Sequence, residues 1–202
     1  MQMSTAVSDF ILAFVSYAVT VSLFRIPRVA AAFGFLLTAV AASLGSLKFG
    51  LQQPTVTIIR YHSHASWLAA VVGTSLFTAD YHLGNRYQSG YFSSLSILLL
   101  CAIPVVTIAK VSNFWSSQVD AYITDAMGFV SILSLLLSSV MYPNSSCLVG
   151  SLMYVLAGVV GTQGNLYNIK RVDWFHYFLA FGNVAFFLAF KHKPNPVYFK
   201  SG

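Results

Sequence analysis

Apolar residues run along this chain in seven blocks separated by short polar breaks. The blocks are Phe10 to Phe24, Val29 to Leu47, about Thr57 to Ala79, Tyr91 to Ala109, Ile123 to Met141, Cys147 to Gln163 and Trp174 to Phe190. Most approach the roughly 20 residues that carry a helix across a bilayer. The breaks hold residues that end helices: Arg25-Ile26-Pro27-Arg28, Gln52-Gln53-Pro54, Gly84-Asn85-Arg86, Ser112-Asn113, Pro143-Asn144-Ser145 and Gly164-Asn165. None is long enough for a second domain. No period of about 20 to 50 residues and no low-complexity tract interrupts them. The pattern predicts one domain over residues 1–202, an all-α bundle of seven transmembrane helices.

Composition makes lipid the solvent. Hydrophobic residues are 57% of the chain and charged ones 8%, where a soluble domain carries about a quarter. The acids are five Asp and no Glu. Asp9, with no Lys or Arg before the first apolar run, argues against a cleaved signal and for a first membrane helix. Seven spans put the termini on opposite sides. The carboxyl-terminal side then holds six basic residues (Arg25, Arg28, Arg86, Lys191, Lys193, Lys200) and the other side five (Lys48, Arg60, Lys110, Lys170, Arg171), which tips the carboxyl terminus towards the cytosol.

The net charge of +6 sits singly or in pairs at helix ends, without the basic stripe and interleaved aromatics of a nucleic-acid binder. Membrane lipids are the expected partners, with a second membrane protein as the other candidate. Cys101 and Cys147 fall at different depths and read as packed or lipid-facing thiols. The sequon Asn144-Ser145-Ser146 sits in a loop too short to present an acceptor well.

Seven alternating spans bring one set of polar residues to one half of the membrane. It comprises Ser43, Ser46, Arg60, His62, His64, Asp120, Asp125, Gln163, Asn165, Asp173 and His176; the other half has mainly Asp80, His82 and Arg86. Charged groups are costly in a bilayer and tend to face a cavity, so a polar cavity on the first side is expected. Gly34, Thr38, Ala41 and Gly45 form a small-residue stripe that lets another helix approach. Ser46 follows it and, lacking a partner, reads as an ordinary helix serine. His62 and His64 are two apart, about 200° around a helix, and cannot chelate one ion together. Asp173 and His176, three apart, share a face. The carboxylate is placed to orient one ring nitrogen and leave the other free as base, acid or ligand, or simply to cap the helix.

Two segments suggest a family. Trp174-Phe175-His176, followed by Gly182-Asn183, resembles the seventh-helix motif of the CREST superfamily, seven-helix membrane proteins that include alkaline ceramidases and myomaker-like proteins. Leu44-Gly45-Ser46-Leu47-Lys48-Phe49-Gly50 is similar to that superfamily's second-helix motif. The resemblance implies an endoplasmic reticulum or related membrane. It also implies a zinc ion on three histidines, with a serine and an aspartate assisting a metal-activated water that cleaves a lipid amide. In this chain Ser46 and His176 fall on the serine and one histidine, while Gly50 and Val172 stand at two histidine positions, and the region around Thr57 to Tyr61 carries no aspartate.

Two main readings follow. The fold is kept without metal, as a non-catalytic lipid-binding protein, scaffold or complex subunit; or His62 or His64 joins His176 as a zinc ligand, with Asp173 as a carboxylate ligand or orienting His176 and Ser46 assisting a rearranged lipid hydrolase. The first is preferred, because Val172 and Gly50 offer no ligand atoms. A proton-linked carrier using Asp80 and Asp173 is the third reading.

Overall fold

The computed structural model describes residues 2–85 and 90–191; Arg86, Lys193 and Lys200 lie outside them. The fold is all-α. In chain order the helices are α1 Met3–Phe24, α2 Val29–Gly50, α3 Val56–Leu68, a π-helical turn Ala69–Gly73, α4 Thr74–Gly84, α5 Gly90–Val111, α6 Ser117–Met141, α7 Ser145–Val160 and α8 Arg171–Lys191. α3, the π turn and α4 form one continuous rod, with right-handed helical backbone at both junctions. Five helices, α1, α2, α5, α6 and α8, are long and apolar enough to cross a membrane. That is the signature of a multi-pass membrane protein. α7 is shorter, at 16 residues.

The bundle is turned inside out relative to a soluble one. On α1, Phe14 is 68% exposed, whereas Ser8 and Ser16 are fully buried. Lipid solvates the phenylalanine, while each hydroxyl needs a partner that lipid cannot supply. Ser16 and Thr20 bond the carbonyls of Leu12 and Ser16, one turn back. Between helices, Asn183 on α8 donates to Ser16 and accepts from Tyr154 on α7, 2.9 and 2.6 Å away, tying three helices together.

One end of the bundle is solid. Leu23, Phe35, Phe77, Leu135 and Phe186 form its core, with Phe35 stacked on Phe77 at 5.0 Å. Asp80 locks the same end: it accepts from Arg28 at 3.2 Å and from the backbone N–H of Ala31, in the first turn of α2, at 2.9 Å. Asp80 thus serves α2 as an anion at a helix amino terminus. His82, nearby, meets the Ser134 hydroxyl at 3.0 Å and stacks on Phe92.

The small-residue stripe on α2 does what its spacing predicts, but against two different neighbours. Gly34 faces the π turn so closely that a side chain there would sit 2.5 Å from the Gly73 carbonyl. Gly45 faces Asp9 on α1. Of the thiols, Cys101 is exposed and Cys147 buried. Asn144, in the sequon, caps α7 by accepting from the Cys147 N–H.

One departure from the all-helical pattern is a minimal hairpin before α8, Asn165–Leu166 against Ile169–Lys170. Its two turn residues, Tyr167 and Asn168, both have positive φ, the geometry that suits a two-residue hairpin turn. The Arg171 N–H bonds the Gly164 carbonyl and the Trp174 indole the Leu166 carbonyl, fixing where α8 begins.

Candidate functional site

At the end opposite the solid core the helices part around a cavity of about 1000 Å³. Its walls come from α1, α2, α3, the π turn, α4, α6, α7 and α8. They are largely apolar, with Leu12, Ile132, Leu136 and Leu179 among them. Its polar groups include Asp9, Lys48, His62, Asp125 and His176. The volume lies at the upper end of the range for small-molecule sites.

The polar residues meet because α1 and α8 supply them in register. In α1, Ser8 and Asp9 are consecutive, so they point about 100° apart. In α8, Asp173 and His176 are three apart, on one face. Asp9 and His176 line the cavity, and Ser8 and Asp173 stand behind them. Ser8 Oγ lies 3.0 Å from His176 Nδ1 and donates to Asp173 Oδ1 at 3.2 Å; the Thr5 carbonyl is a third acceptor at 3.0 Å. His176 Nε2 faces Asp9 Oδ1 at 3.3 Å. Both aspartates are 2% exposed.

Proton bookkeeping follows from these contacts. Ser8 has one hydroxyl hydrogen for three acceptors. If it goes to Nδ1, the neutral imidazole carries its proton on Nε2 and donates to Asp9. If it goes to Asp173 or Thr5, then Nδ1–H donates to Ser8, and the contact between Nε2 and Asp9 needs a further proton on one of the two. In either arrangement a proton lies between His176 and Asp9. Asp173 therefore orients His176 through Ser8, without bonding the ring directly. Its place in the first turn of α8 also suits a carboxylate.

Asp9 is packed unusually tightly. A Cβ on Gly45 would lie 2.5 Å from Asp9 Oδ2, so only glycine leaves room for this carboxylate. Oδ2 is buried and has no hydrogen-bond partner among the described residues.

The residues singled out from the sequence are distributed as follows. His176 and Asp173 belong to the cluster. Ser46 does not join them: half-buried on α2, it donates to the Ala6 carbonyl at 3.2 Å. His62 lines the cavity with Nδ1 3.3 Å from Lys48 Nζ and its ring edge-on to Phe49. His64 is exposed, as the two-residue spacing requires. Asp125 also lines the cavity, whereas Asp120 pairs with Lys110 and Ser43 bonds the Ala39 carbonyl. Ser8 and Asp9 were not anticipated. The signal was present in the buried repeat Thr5, Ser8, Leu12, Ser16, Val19, Leu23, a three- and four-residue spacing that starts before the apolar run.

The residues present do not assemble the three-histidine zinc set that the resemblance implies. Gly50 and Val172 lack donor atoms, the Lys48 ammonium stands beside His62, and His64 faces away. Among the described residues no three His, Cys, Asp or Glu side chains converge as a ligand group.

No known family, curated protein or solved structure matches the chain.

Proposed function

We propose that this chain is a seven-span membrane protein of CREST-like fold that binds an amphiphilic lipid within the bilayer, its chain among the apolar walls and its head at Asp9 and His176. One observation carries the reading: an apolar cavity of about 1000 Å³ ends on a buried, hydrogen-bonded acid–imidazole cluster. Buried ionisable groups are expensive in lipid and tend to be kept for a ligand or a pathway. In this reading α7 and the α3–α4 rod also cross the membrane, giving the seven spans. The endoplasmic reticulum or a related membrane follows from the resemblance.

The zinc hydrolase is the less favoured reading, since His64 is exposed, His62 lies beside the Lys48 ammonium, and no group of three ligands forms among the described residues. The carrier reading is also less favoured, because Asp80 is committed to Arg28 and the α2 amino terminus.

Two glycines make the proposal testable. Gly128 on α6 and Gly158 on α7 line the cavity, and a side chain at either would meet nothing within 4 Å. Gly158→Trp fills the cavity without disturbing the packed core. We expect the purified wild type to retain a lipid, read by native mass spectrometry, and Gly158→Trp to lose it while unfolding at a similar temperature. Equal lipid retention by the two would refute the proposal.

A further inference from the structure

The rim of the cavity carries donors where its depth carries acids. Lys48, in the last turn of α2, and His62 on α3 stand together in the wall, the ammonium 3.3 Å from His62 Nδ1. An ammonium has no lone pair, so it donates, Nδ1 accepts, and the ring proton is fixed on Nε2. Ser66, one turn along α3 from His62, adds a hydroxyl to the same wall. Gln2, just before α1, completes it. Its backbone N–H bonds the Phe49 carbonyl at 2.8 Å, and its side-chain Oε1 accepts from Lys170 Nζ at 3.0 Å. With that oxygen taken, the Gln2 amide nitrogen has two hydrogens to give.

Two cations therefore flank Gln2: Lys48, whose neighbour Phe49 holds its backbone, and Lys170, which holds its side chain. Neither is paired with an acid. Among the described residues the ion pairs join Arg28 to Asp80, Lys110 to Asp120 and His176 to Asp9, and no carboxylate reaches Lys48 or Lys170. The acids of the wall sit elsewhere. Asp9 packs on Gly45, one turn of α2 deeper than Lys48, with Oδ1 facing His176, and Asp125 is on α6.

Head groups can be ranked on these grounds. An ammonium meets like charge at the rim. A hydroxyl accepts from one or two of the donors and balances no charge. A carboxylate brings two oxygens and one charge. A phosphate monoester brings three terminal oxygens and up to two charges on one tetrahedral centre, which suits donors converging from α2, α3, the start of α1 and the hairpin.

We propose that the rim is a subsite for a lipid phosphate. The cavity then takes a single-chain phospholipid: its phosphate lies among Lys48, His62, Gln2 and Lys170, its hydroxylated linker at the level of Asp9 and His176, and its chain along the apolar walls. This rests on the reading that the cavity takes a lipid chain, and the test separates the two.

The purified full-length protein is loaded with a pyrene-labelled acyl chain, which is then displaced by palmitoyl lysophosphatidate, by monopalmitoylglycerol, which lacks only the phosphate, or by palmitate. Lysophosphatidate is expected to displace it at about tenfold or more lower concentration than either, the scale of one charge-assisted hydrogen bond. Lys48→Gln combined with Lys170→Gln removes both charges and keeps polar side chains. It should bring lysophosphatidate to the level of monopalmitoylglycerol, whose own potency stays as in the wild type. Equal potency of lysophosphatidate and monopalmitoylglycerol, palmitate as the strongest, or a preference that survives the double variant would overturn the phosphate assignment and leave the cavity reading standing. Inorganic phosphate bound as tightly as lysophosphatidate, read by titration calorimetry, would overturn the lipid as the source of the phosphate. No binding of the pyrene chain, or binding unchanged by Gly158→Trp, would overturn the cavity reading itself. The wild-type comparison decides the head group even if the double variant fails to fold.

Discussion

His176→Ala is expected to cost about 1–3 kcal/mol of stability, the penalty for leaving a buried hydrogen-bonding group without its partner. The loss has a specific origin. Asp9 Oδ1 loses its partner at 3.3 Å while its other oxygen already has none among the described residues, and Ser8 loses a neighbour at 3.0 Å. Two aspartates would then remain buried at the junction of α1 and α8 with the imidazole gone. The measurement is unfolding of the purified protein in detergent, by heat or by titration with a denaturing surfactant. The instructive comparison is the double variant Asp9→Leu with His176→Leu. Removing both polar groups together leaves no orphan, and such replacements are often neutral or stabilising. The double variant should therefore recover much of the loss while losing ligand. A His176→Ala protein as stable as wild type would show that the cluster carries no buried charge.

The second large effect is expected at Gly45. Its substitution by alanine places a methyl group 2.5 Å from Asp9 Oδ2 and 2.7 Å from Cγ, a contact no real Cβ makes. The carboxylate is short and is held by His176, so α1 and α2 must separate or the Asp9–His176 contact must break. Overpacking of this kind costs about 1–3 kcal/mol. Ser8 and Asp173 are displaced with it, so ligand retention should fall as well. In the background of Asp9→Ala the same glycine change should cost much less, because the atoms it strikes are absent. A coupling of about 1 kcal/mol or more between the two positions is the expected result of the double-mutant cycle. Strict additivity would mean that α1 and α2 do not approach at this point.

Much of the architecture was legible because lipid makes hydropathy informative. The all-α class, the multi-pass character and the approximate helix positions follow from where apolar runs stop at Pro, Gly and Asn. The structure moves several boundaries. α1 begins at Met3, where the apolar run begins at Phe10, because its first turns are buried by their polar side and have no need to be apolar. That displacement hid the site. Asp9 read as a charge ahead of the first span, whereas it lies within α1 and faces His176.

Asp173 and His176 were legible as a pair because three residues on a helix share a face. Their link through Ser8 joins positions far apart in the chain, which no local spacing reports. Likewise the α2 stripe announced close approach but not its partners, Gly73 for Gly34 and Asp9 for Gly45. The π turn gave no compositional sign in Ala69–Gly73, yet it sets Ala69 and Ala70 in the cavity wall. The hairpin before α8 was missed because its turn pair is Tyr167-Asn168, where the usual signal has glycine.

The most direct test of the account asks whether a lipid chain enters the bundle. Membranes containing the protein are loaded with a lipid whose palmitoyl chain carries a photoactivatable diazirine, irradiated, and the labelled peptides sequenced. The account predicts label on Ile132, Leu136 and Leu179, which line the cavity and are buried or half-buried. It also predicts that Gly158→Trp removes that label. Label confined to outward-facing residues such as Leu98, Val105 and Ile108 of α5, unchanged by the tryptophan, would contradict it.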